Sequence, residues 1–357
     1  MKILVDAMGG DNAPDAVIKG VANAIEDIEA EVILIGQEAV LNTRSKEILG
    51  KKLDKVSSRI KIINAKEVIT MEDIPTQAIK TKKDSSMVVG FNMLKNGDGD
   101  VFISAGNSGA LLTGATLIVG RIKGIDRPAL AGILPAYHGN LVLMDCGANT
   151  NCKPINLVQF AQMASIYISN TVGIKEPKIG LLNTGTEETK GNELVKESYQ
   201  LLKKYSQDLK INFIGNVEGR EAFLGDVDVL IADGFTGNVF LKSIEGFGKF
   251  VKKSLKESIY KNAFSVIGAI PSLPALSRFA KSMDYKEYGG ALFLGVKKPV
   301  VKAHGSSDAK LFEYTIKQAE KFVENKAVEK LTDVYQSKYN AEKMDEIKKF
   351  IAELEKR

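Results

Sequence analysis

Six short apolar runs, each ending in a cluster of Gly, Asn, Ser, Thr or Asp, recur along this chain of 357 residues. They are 3–5 before DAMGGDNAP, 101–103 before SAGNSG, 141–144 before DCGAN, 179–182 before NTGTEETKGNE, 229–232 before DGFTGN and 300–302 before AHGSSD. Such runs are typical of buried strands, and two more are predicted at 32–35 and 60–63. Helical periodicity predicts helices over about 14–27, 84–96, 108–121, 154–170 and 192–206. This alternation predicts an α/β fold with a mostly parallel, layered sheet and helices on both faces.

The six clusters also predict a ligand site. Ligands of open α/β sheets bind beyond the carboxyl ends of the strands, so we expect the clusters to converge on one crevice. Glycine lets backbone N–H groups approach an anion closely, and Ser, Thr and Asn add neutral donors. The pattern therefore favours a phosphate-binding site.

Composition excludes several classes of protein. The net charge is a modest +5, and Trp is absent, which argues against a nucleic-acid binder. Two cysteines give no disulfide framework, and we expect neither a metal site nor a cofactor. The first residues enter a strand at once and no apolar run reaches 18 residues, so we expect a cytoplasmic protein.

The segment 240–285 differs from the rest of the domain, which we place at 1–330. Apolar residues step by three and four through 244–259, and 262–277 carries no charge. One interpretation is a packed helical hairpin at a dimer interface. The other is a hairpin whose tip, with Val266, Ile267 and Ile270, touches a membrane surface beside flanking lysines. The remaining 331–357 predict a charged helical tail with a solvated face.

Few side chains in the clusters suggest covalent chemistry. No G-x-S-x-G elbow, phosphate loop or G-x-G-x-x-G fingerprint is present, and nothing in the sequence sets a nucleophile beside His138 or His304. Cys146 is expected to be a small buried residue. The strand-end aspartates are expected mainly to cap helices and turns. Lys190 stands out as a cation within a Gly/Thr/Asn loop.

A site of this kind suits a reaction in which the anion itself attacks. Inorganic phosphate needs no strong base, so the protein would hold it against an activated acyl group and stabilise the oxyanion that forms. A thioester is such an acyl group, because its thiolate leaves readily.

The ordered motifs DAMGGDNAP, SAGNSGA, GRIKGIDRPAL, DCGAN, NTGTEETKGNEL, FIGNVEGR, ADGFTGNVFLK and KAHGSSD resemble the phosphate acyltransferase family of bacterial phospholipid synthesis. The resemblance covers about residues 1–325. It implies a fold like isopropylmalate dehydrogenase and phosphotransacetylase, a homodimer, and peripheral association with the inner face of an anionic membrane. It also implies transfer of an acyl group from acyl carrier protein to inorganic phosphate, with the acyl phosphate passing to a glycerol-3-phosphate acyltransferase.

By the same resemblance, Lys190 and Asn238 are the expected catalytic pair. The expected phosphate and substrate contacts are Asp6, Gly9, Gly10, Ser104, Gly106, Asn107, Ser108, Gly109, Asn149, Thr184, Gly185, Thr186, Gly237, His304 and Ser306. The chain departs from the family at Asn12, where the family often has His, and at Cys146, where it often has Val.

Three other functions stay open at this stage. The first is a phosphotransacylase that uses short-chain acyl-CoA. The second is a decarboxylating dehydrogenase of the same fold, which would need Mg²⁺ and a nicotinamide. The third is a membrane-recruited scaffold without activity of its own.

Overall fold

The computed structural model describes residues 1–137, 139–171, 173–282 and 289–354. His138 lies outside the described residues. The strands are β1 Lys2–Asp6, β2 Glu31–Gly36, β3 Ile60–Asn64, β4 Val101–Ser104, β5 Ala129–Ala136, β6 Gly139–Met144, β7 Lys178–Asn183, β8 Asn212–Glu218, β9 Val229–Ile231, β10 Ala291–Leu294 and β11 Val300–Lys302. The helices are α1 Asp15–Ala24, α2 Glu38–Leu49, α3 Lys52–Val56, α4 Pro75–Thr81, α5 Ser86–Asn96, α6 Ser108–Gly114, α7 Pro154–Thr171, α8 Glu193–Tyr205, α9 Gly234–Ile259, α10 Ala263–Ala269, α11 Leu273–Ser282, α12 Ala309–Glu324, α13 Ala327–Gln336 and α14 Lys338–Leu354.

In the described part of the chain, eleven strands form one sheet in the order β3-β2-β1-β4-β11-β10-β5-β6-β9-β7-β8. The outer strands pair in parallel, as predicted. Three central pairs, β11–β10, β10–β5 and β5–β6, are antiparallel. Because three reversals separate β11 from β6, the strands on the two sides of the centre run in opposite directions.

Two apolar layers cover the sheet, because alternate residues of each strand point to opposite faces. On one face, residues such as Val5, Ile103 and Met144 pack into a core with the helices α1, α7, α8 and α12. On the other face, Leu4, Phe102 and Leu143 share a core with α5, α6 and the start of α9. The predicted α/β fold with helices on both faces is confirmed.

The segment 246–279 forms a projecting hairpin without a single buried residue. It comprises the second half of α9, then α10, a 3₁₀ turn Ile270–Ser272, and α11. Phe264 is 89% exposed, Ile267 65% and Ile270 57%, while Val266 is half-buried. Within the described residues, no helix combines the length and the apolar character needed to cross a membrane.

The C-terminal helices contribute to the core. Leu331 and Tyr335 of α13 and Ile347 of α14 are buried in the layer that contains α7. The ring of Phe350 packs edge-on against Tyr205 of α8, with the ammonium group of Lys204 over it. The tail therefore presents its charges to solvent and an apolar side to the domain, and α13 runs across the predicted boundary at residue 330.

Candidate active site

The loops after β1 and β4 are joined through a buried carboxylate. Asp6 accepts hydrogen bonds from Ser104 Oγ at 2.7 Å and from the backbone N–H groups of Met8 and Gly9 at 3.1 Å each. Ser104 Oγ in turn accepts the N–H of Gly106 at 3.0 Å. Burial raises the pKa of Asp6, while these hydrogen bonds act in the opposite direction. The buried Asp6 carboxylate thus fixes the conformation of the loops after β1 and β4.

Close backbone approach brings the loop after β11 to the same place. A Cβ on Gly9 would lie 2.8 Å from the backbone nitrogen of Gly106, and one on Gly10 would lie 3.0 Å from the carbonyl oxygen of Gly305. Asp11 N–H donates to that carbonyl at 2.8 Å, and Asn12 Nδ2 donates to Ser306 O at 3.3 Å. Only glycine allows these three loops to meet, since Gly10 also has φ +103°.

Asn107 immediately precedes α6, and both polar atoms of its side chain make hydrogen bonds within the protein. Its Oδ1 accepts the N–H of Ala110 at 3.1 Å, as a helix cap does. Its Nδ2 donates to the carbonyl oxygens of Thr70, Met71 and Asp73 at 3.2–3.3 Å. The Asn107 amide therefore fixes the loop, and the predicted Ser108 and Gly109 follow it in the first turn of α6.

A second buried carboxylate organises the loop after β6. Asp145 is fully buried and accepts five hydrogen bonds: from the N–H groups of Leu130, Gly147, Ala148 and Asn149, and from Asn149 Nδ2. Burial raises its pKa, against the effect of these bonds. Asn149 also donates to Pro128 O at 2.8 Å and accepts Gly234 N–H at 2.7 Å. The predicted site residue Asn149 is thus a connector between the β6 loop and α9.

Asn238 lies against this loop in the first turns of α9. The helix is capped by Asp233, which accepts the N–H groups of Phe235 and Thr236, so that the predicted capping role is confirmed there. A Cβ on Gly237 would lie only 2.0 Å from the carbonyl oxygen of Asp145, and one on Gly147 3.3 Å from Asn238 Cγ. Asn238 is therefore held in place by two glycine contacts with the β6 loop.

Lys190 belongs to the loop after β7, the neighbour of β9. Its carbonyl oxygen accepts Asn183 Nδ2 at 3.1 Å, and its side chain packs near Gly185, where a Cβ would lie 3.1 Å from Lys190 Cγ. Thr184, Thr186 and Lys190 are exposed. Among the described residues the structure gives the Lys190 ammonium group no ion pair, whereas nearby Glu188 is paired with Lys203. This cation is available to an anion.

His304 has neighbours that the sequence did not reveal. Its Nδ1 is 2.9 Å from Ser306 Oγ and accepts the N–H of Ser306 at 3.2 Å, and its Nε2 is 3.6 Å from Glu245 Oε2 of α9. Burial alone would raise the pKa of Glu245, but His304 and the nearby Lys242 and Lys249 outweigh it and leave that pKa lowered. The structure therefore places the Ser306 hydroxyl, two residues away in the same turn, beside His304, a contact that the sequence did not indicate.

Contrary to the sequence prediction, the six loops do not leave the sheet at one edge. Three loops leave the sheet from the carboxyl ends of β1, β4 and β11, and three leave from those of β6, β9 and β7 in the opposite direction. Asp6 and Ser104 nevertheless both point to the sheet face that α9 covers. Asp233 at the start of α9 lies with the second set, while Glu245 reaches His304 of the first. Helix α9 therefore links the two sets across the central strands, and we call the region between them the cleft.

Two features of this cleft bear on its chemistry. Cys146 is buried as predicted, and burial raises the pKa of its thiol, so it is a poor nucleophile. Across the described ranges, no three His, Cys, Asp or Glu side chains are grouped as metal ligands would be.

Residues 1–330 match the family described as "Fatty acid synthesis protein". The chain is 48% identical to the phosphate acyltransferase of Thermoanaerobacter pseudethanolicus, over 94% of this chain and 98% of the relative. It is 50% identical to that of Acetivibrio thermocellus, over 93% and 95%. Among solved structures, its fold is similar to a phosphotransacetylase from Streptococcus pyogenes (TM-score 0.56, 18% identity, 91% and 94% covered) and a branched-chain phosphotransacylase from Enterococcus faecalis (0.55, 14%, 90% and 99%). The chain belongs to the phosphate acyltransferase family and is an acyltransferase.

Proposed function

We propose that this enzyme transfers a long-chain acyl group from acyl carrier protein to inorganic phosphate. The observation that carries the proposal is the match to phosphate acyltransferases at 48–50% identity along nearly the whole of both chains. The acyl phosphate would supply a glycerol-3-phosphate acyltransferase in phospholipid synthesis.

The reaction is a direct displacement. A phosphate oxygen attacks the thioester carbonyl carbon and forms the new C–O bond with its own electron pair. The tetrahedral oxyanion then collapses, the C–S bond breaks, and both of its electrons leave with sulfur. The proton carried by hydrogen phosphate ends on the thiolate, so that acyl phosphate and free carrier thiol are the products. No acyl-enzyme is formed, which agrees with the raised pKa of Cys146.

Lys190 and Asn238 are the proposed catalytic residues. The exposed ammonium group of Lys190 would neutralise phosphate or the developing oxyanion, and the amide of Asn238 would donate a hydrogen bond to the same centre. Lys190 lies in the loop after β7 and Asn238 in the helix after β9, and these two strands are adjacent and parallel. The close contacts of Gly147 with Asn238 and of Gly237 with the Asp145 carbonyl support a fixed orientation for Asn238, which such a donor requires.

The hairpin is proposed to bring the enzyme to the inner face of the membrane. Its exposed Phe264, Ile267 and Ile270 form an apolar tip, and Lys249, Lys252, Lys253 and Lys256 on α9 add positive charge suited to anionic lipid headgroups. A homodimer in which hairpins pack together is the other proposed use of this surface.

Acyl carrier proteins are acidic, so a basic surface is the expected docking area. Arg121, Lys123 and Arg127 are exposed at the turn that leads into β5. Arg121 also donates through Nη1 to Asp126 O, which orders this turn. These residues and the lysines of the hairpin are the two proposed docking areas.

The proposal is tested by comparing donors. Purified protein is incubated with phosphate and either palmitoyl-carrier protein or acetyl-CoA, and acyl phosphate is trapped with hydroxylamine. We expect phosphate-dependent hydroxamate from the carrier thioester and a far lower kcat/KM with acetyl-CoA. The reverse preference would make the protein a short-chain phosphotransacylase, and no product from either donor would contradict the proposal.

Direct attack has its own test. Palmitoyl-carrier protein and radiolabelled free carrier protein are mixed with enzyme in the absence of phosphate. An acyl-enzyme would exchange the acyl group between carriers, whereas direct attack by phosphate gives no exchange.

A further inference from the structure

Lys302, which the sequence did not single out, is a cation in the middle of the cleft. It is the last residue of β11 and pairs with Ser104 of β4 on one side and Ala291 of β10 on the other. Val300, two residues earlier, belongs to the core on the face that carries α9. Because strand residues alternate, the Lys302 side chain points to this same face, beside the Asp6–Ser104 pair.

The ammonium group of Lys302 has no partner of its own. It is partly buried, and among the described residues the structure records neither a hydrogen bond nor an ion pair for it. Three groups act on its charge: the Cys146 thiol, Lys242 and Glu245. The thiol is neutral, Lys242 repels it, and the Glu245 carboxylate is already engaged by His304 at 3.6 Å.

A partly buried ammonium group without a partner lowers the stability of the folded protein. Removal from water lowers the pKa of Lys302, which is the effect of desolvating an ammonium group without a matched carboxylate. An apolar residue would fill the position at lower cost. Unfavourable charges of this kind occur preferentially in sites where a ligand of opposite charge binds.

We propose that Lys302 binds the phosphate substrate, as a second cation in addition to Lys190. A phosphate beside Ser104 and Gly106 would supply the negative charge that the ammonium group lacks. Lys302 ends β11 and Lys190 follows β7, and these strands run in opposite directions, so the two lysines approach the cleft from its two sides. Lys302 therefore holds the attacking anion, which leaves Lys190 and Asn238 for the thioester carbonyl. This division rests on the proposed function.

The test uses Lys302→Met, with Lys298→Met as the matched control. Lys298 precedes the same strand but is exposed and outside the cleft. We expect Lys302→Met to raise the KM for phosphate by about ten- to a hundredfold, with a smaller change in kcat, since it removes one charge-assisted hydrogen bond. Lys298→Met should keep the wild-type KM. A Lys302→Met enzyme with wild-type KM for phosphate would overturn the inference.

A second readout does not depend on turnover. Phosphate is titrated into each protein by calorimetry without an acyl donor, and thermal unfolding is followed with and without phosphate. The Met variant should fold with an unchanged or higher Tm and lose phosphate affinity, and Lys302→Gln serves as a second variant. A lowered Tm with unchanged phosphate affinity would show a purely structural role. Wild-type protein that binds phosphate through Lys302 but forms no acyl phosphate would refute the proposed function and leave this inference standing.

Discussion

Two glycines of α9 provide a matched test of how the enzyme positions Asn238. A Cβ on Gly237 would lie 2.0 Å from the Asp145 carbonyl oxygen, whereas a Cβ on Gly248 of the same helix would meet no atom within 4 Å. Both Gly→Ala changes gain about 1 kcal/mol of helix propensity. They differ in what the added methyl group touches.

The magnitude follows from how firmly Asp145 is held. Real Cβ contacts are essentially never below 3.0 Å, so helix and loop must separate by about 1 Å or more. Asp145 is buried with five hydrogen bonds, so the helix is the part that moves, together with Asn238. Overpacking typically costs about 1–3 kcal/mol, and a 1 Å displacement of a catalytic group costs about a hundredfold in rate.

We therefore expect Gly237→Ala to lower kcat about a hundredfold and to lower the free energy of unfolding by up to about 2 kcal/mol net. Gly248→Ala should keep the wild-type kcat and gain up to about 1 kcal/mol. Hydroxamate kinetics and urea unfolding measure both. Wild-type kcat in Gly237→Ala, or equal damage from both changes, would refute the proposed role of the contact.

Three further outcomes are expected. Asn238→Ala should lower kcat by about 10²–10³ with little change in Tm, as loss of one oxyanion donor does, and an unchanged kcat would remove Asn238 from the catalytic pair. Changing Val266, Ile267 and Ile270 together to Ser should abolish binding to anionic liposomes in a flotation assay while activity in solution persists; continued binding would assign the tip to a protein interface. Lys302 has a lowered pKa, so the folded protein holds this proton less tightly than the unfolded chain, and wild type should gain stability relative to Lys302→Met as pH rises toward 10.5. Urea unfolding at pH 7 and pH 9.5 measures the gain, and a pH-independent difference would contradict it.

The sequence predicted the strands that end in polar clusters because glycine and asparagine mark the point where a buried strand meets a ligand loop. It missed β8 (Asn212–Glu218) as well as β5 and β10, and neither Ala129–Ala136 nor Ala291–Leu294 ends in such a cluster. These two strands carry the antiparallel pairs, so the reversal of strand direction, and with it the two-sided cleft, could not be anticipated.

The sequence also could not predict which side chains of the site have partners within the protein. Asn149 and Asn107 were predicted as substrate contacts, and the structure gives their amide nitrogens partners within the protein: Asp145 Oδ2 and Pro128 O for Asn149, and three carbonyl oxygens of 70–73 for Asn107. Glu245 and Lys302 were missed, because only the packing of α9 on the sheet shows that His304 takes the carboxylate and leaves the lysine unpaired. Spacing along the chain cannot report such contacts between distant elements.

The central claim is that phosphate accepts the acyl group, and product stoichiometry tests it most directly. Enzyme, palmitoyl-carrier protein and phosphate are combined, free carrier thiol is titrated, and acyl phosphate is followed by ³¹P NMR. We expect one acyl phosphate for each thiol released, and no thiol release when phosphate is omitted. Thiol release without acyl phosphate, at a rate independent of phosphate, would show a thioesterase and contradict the account.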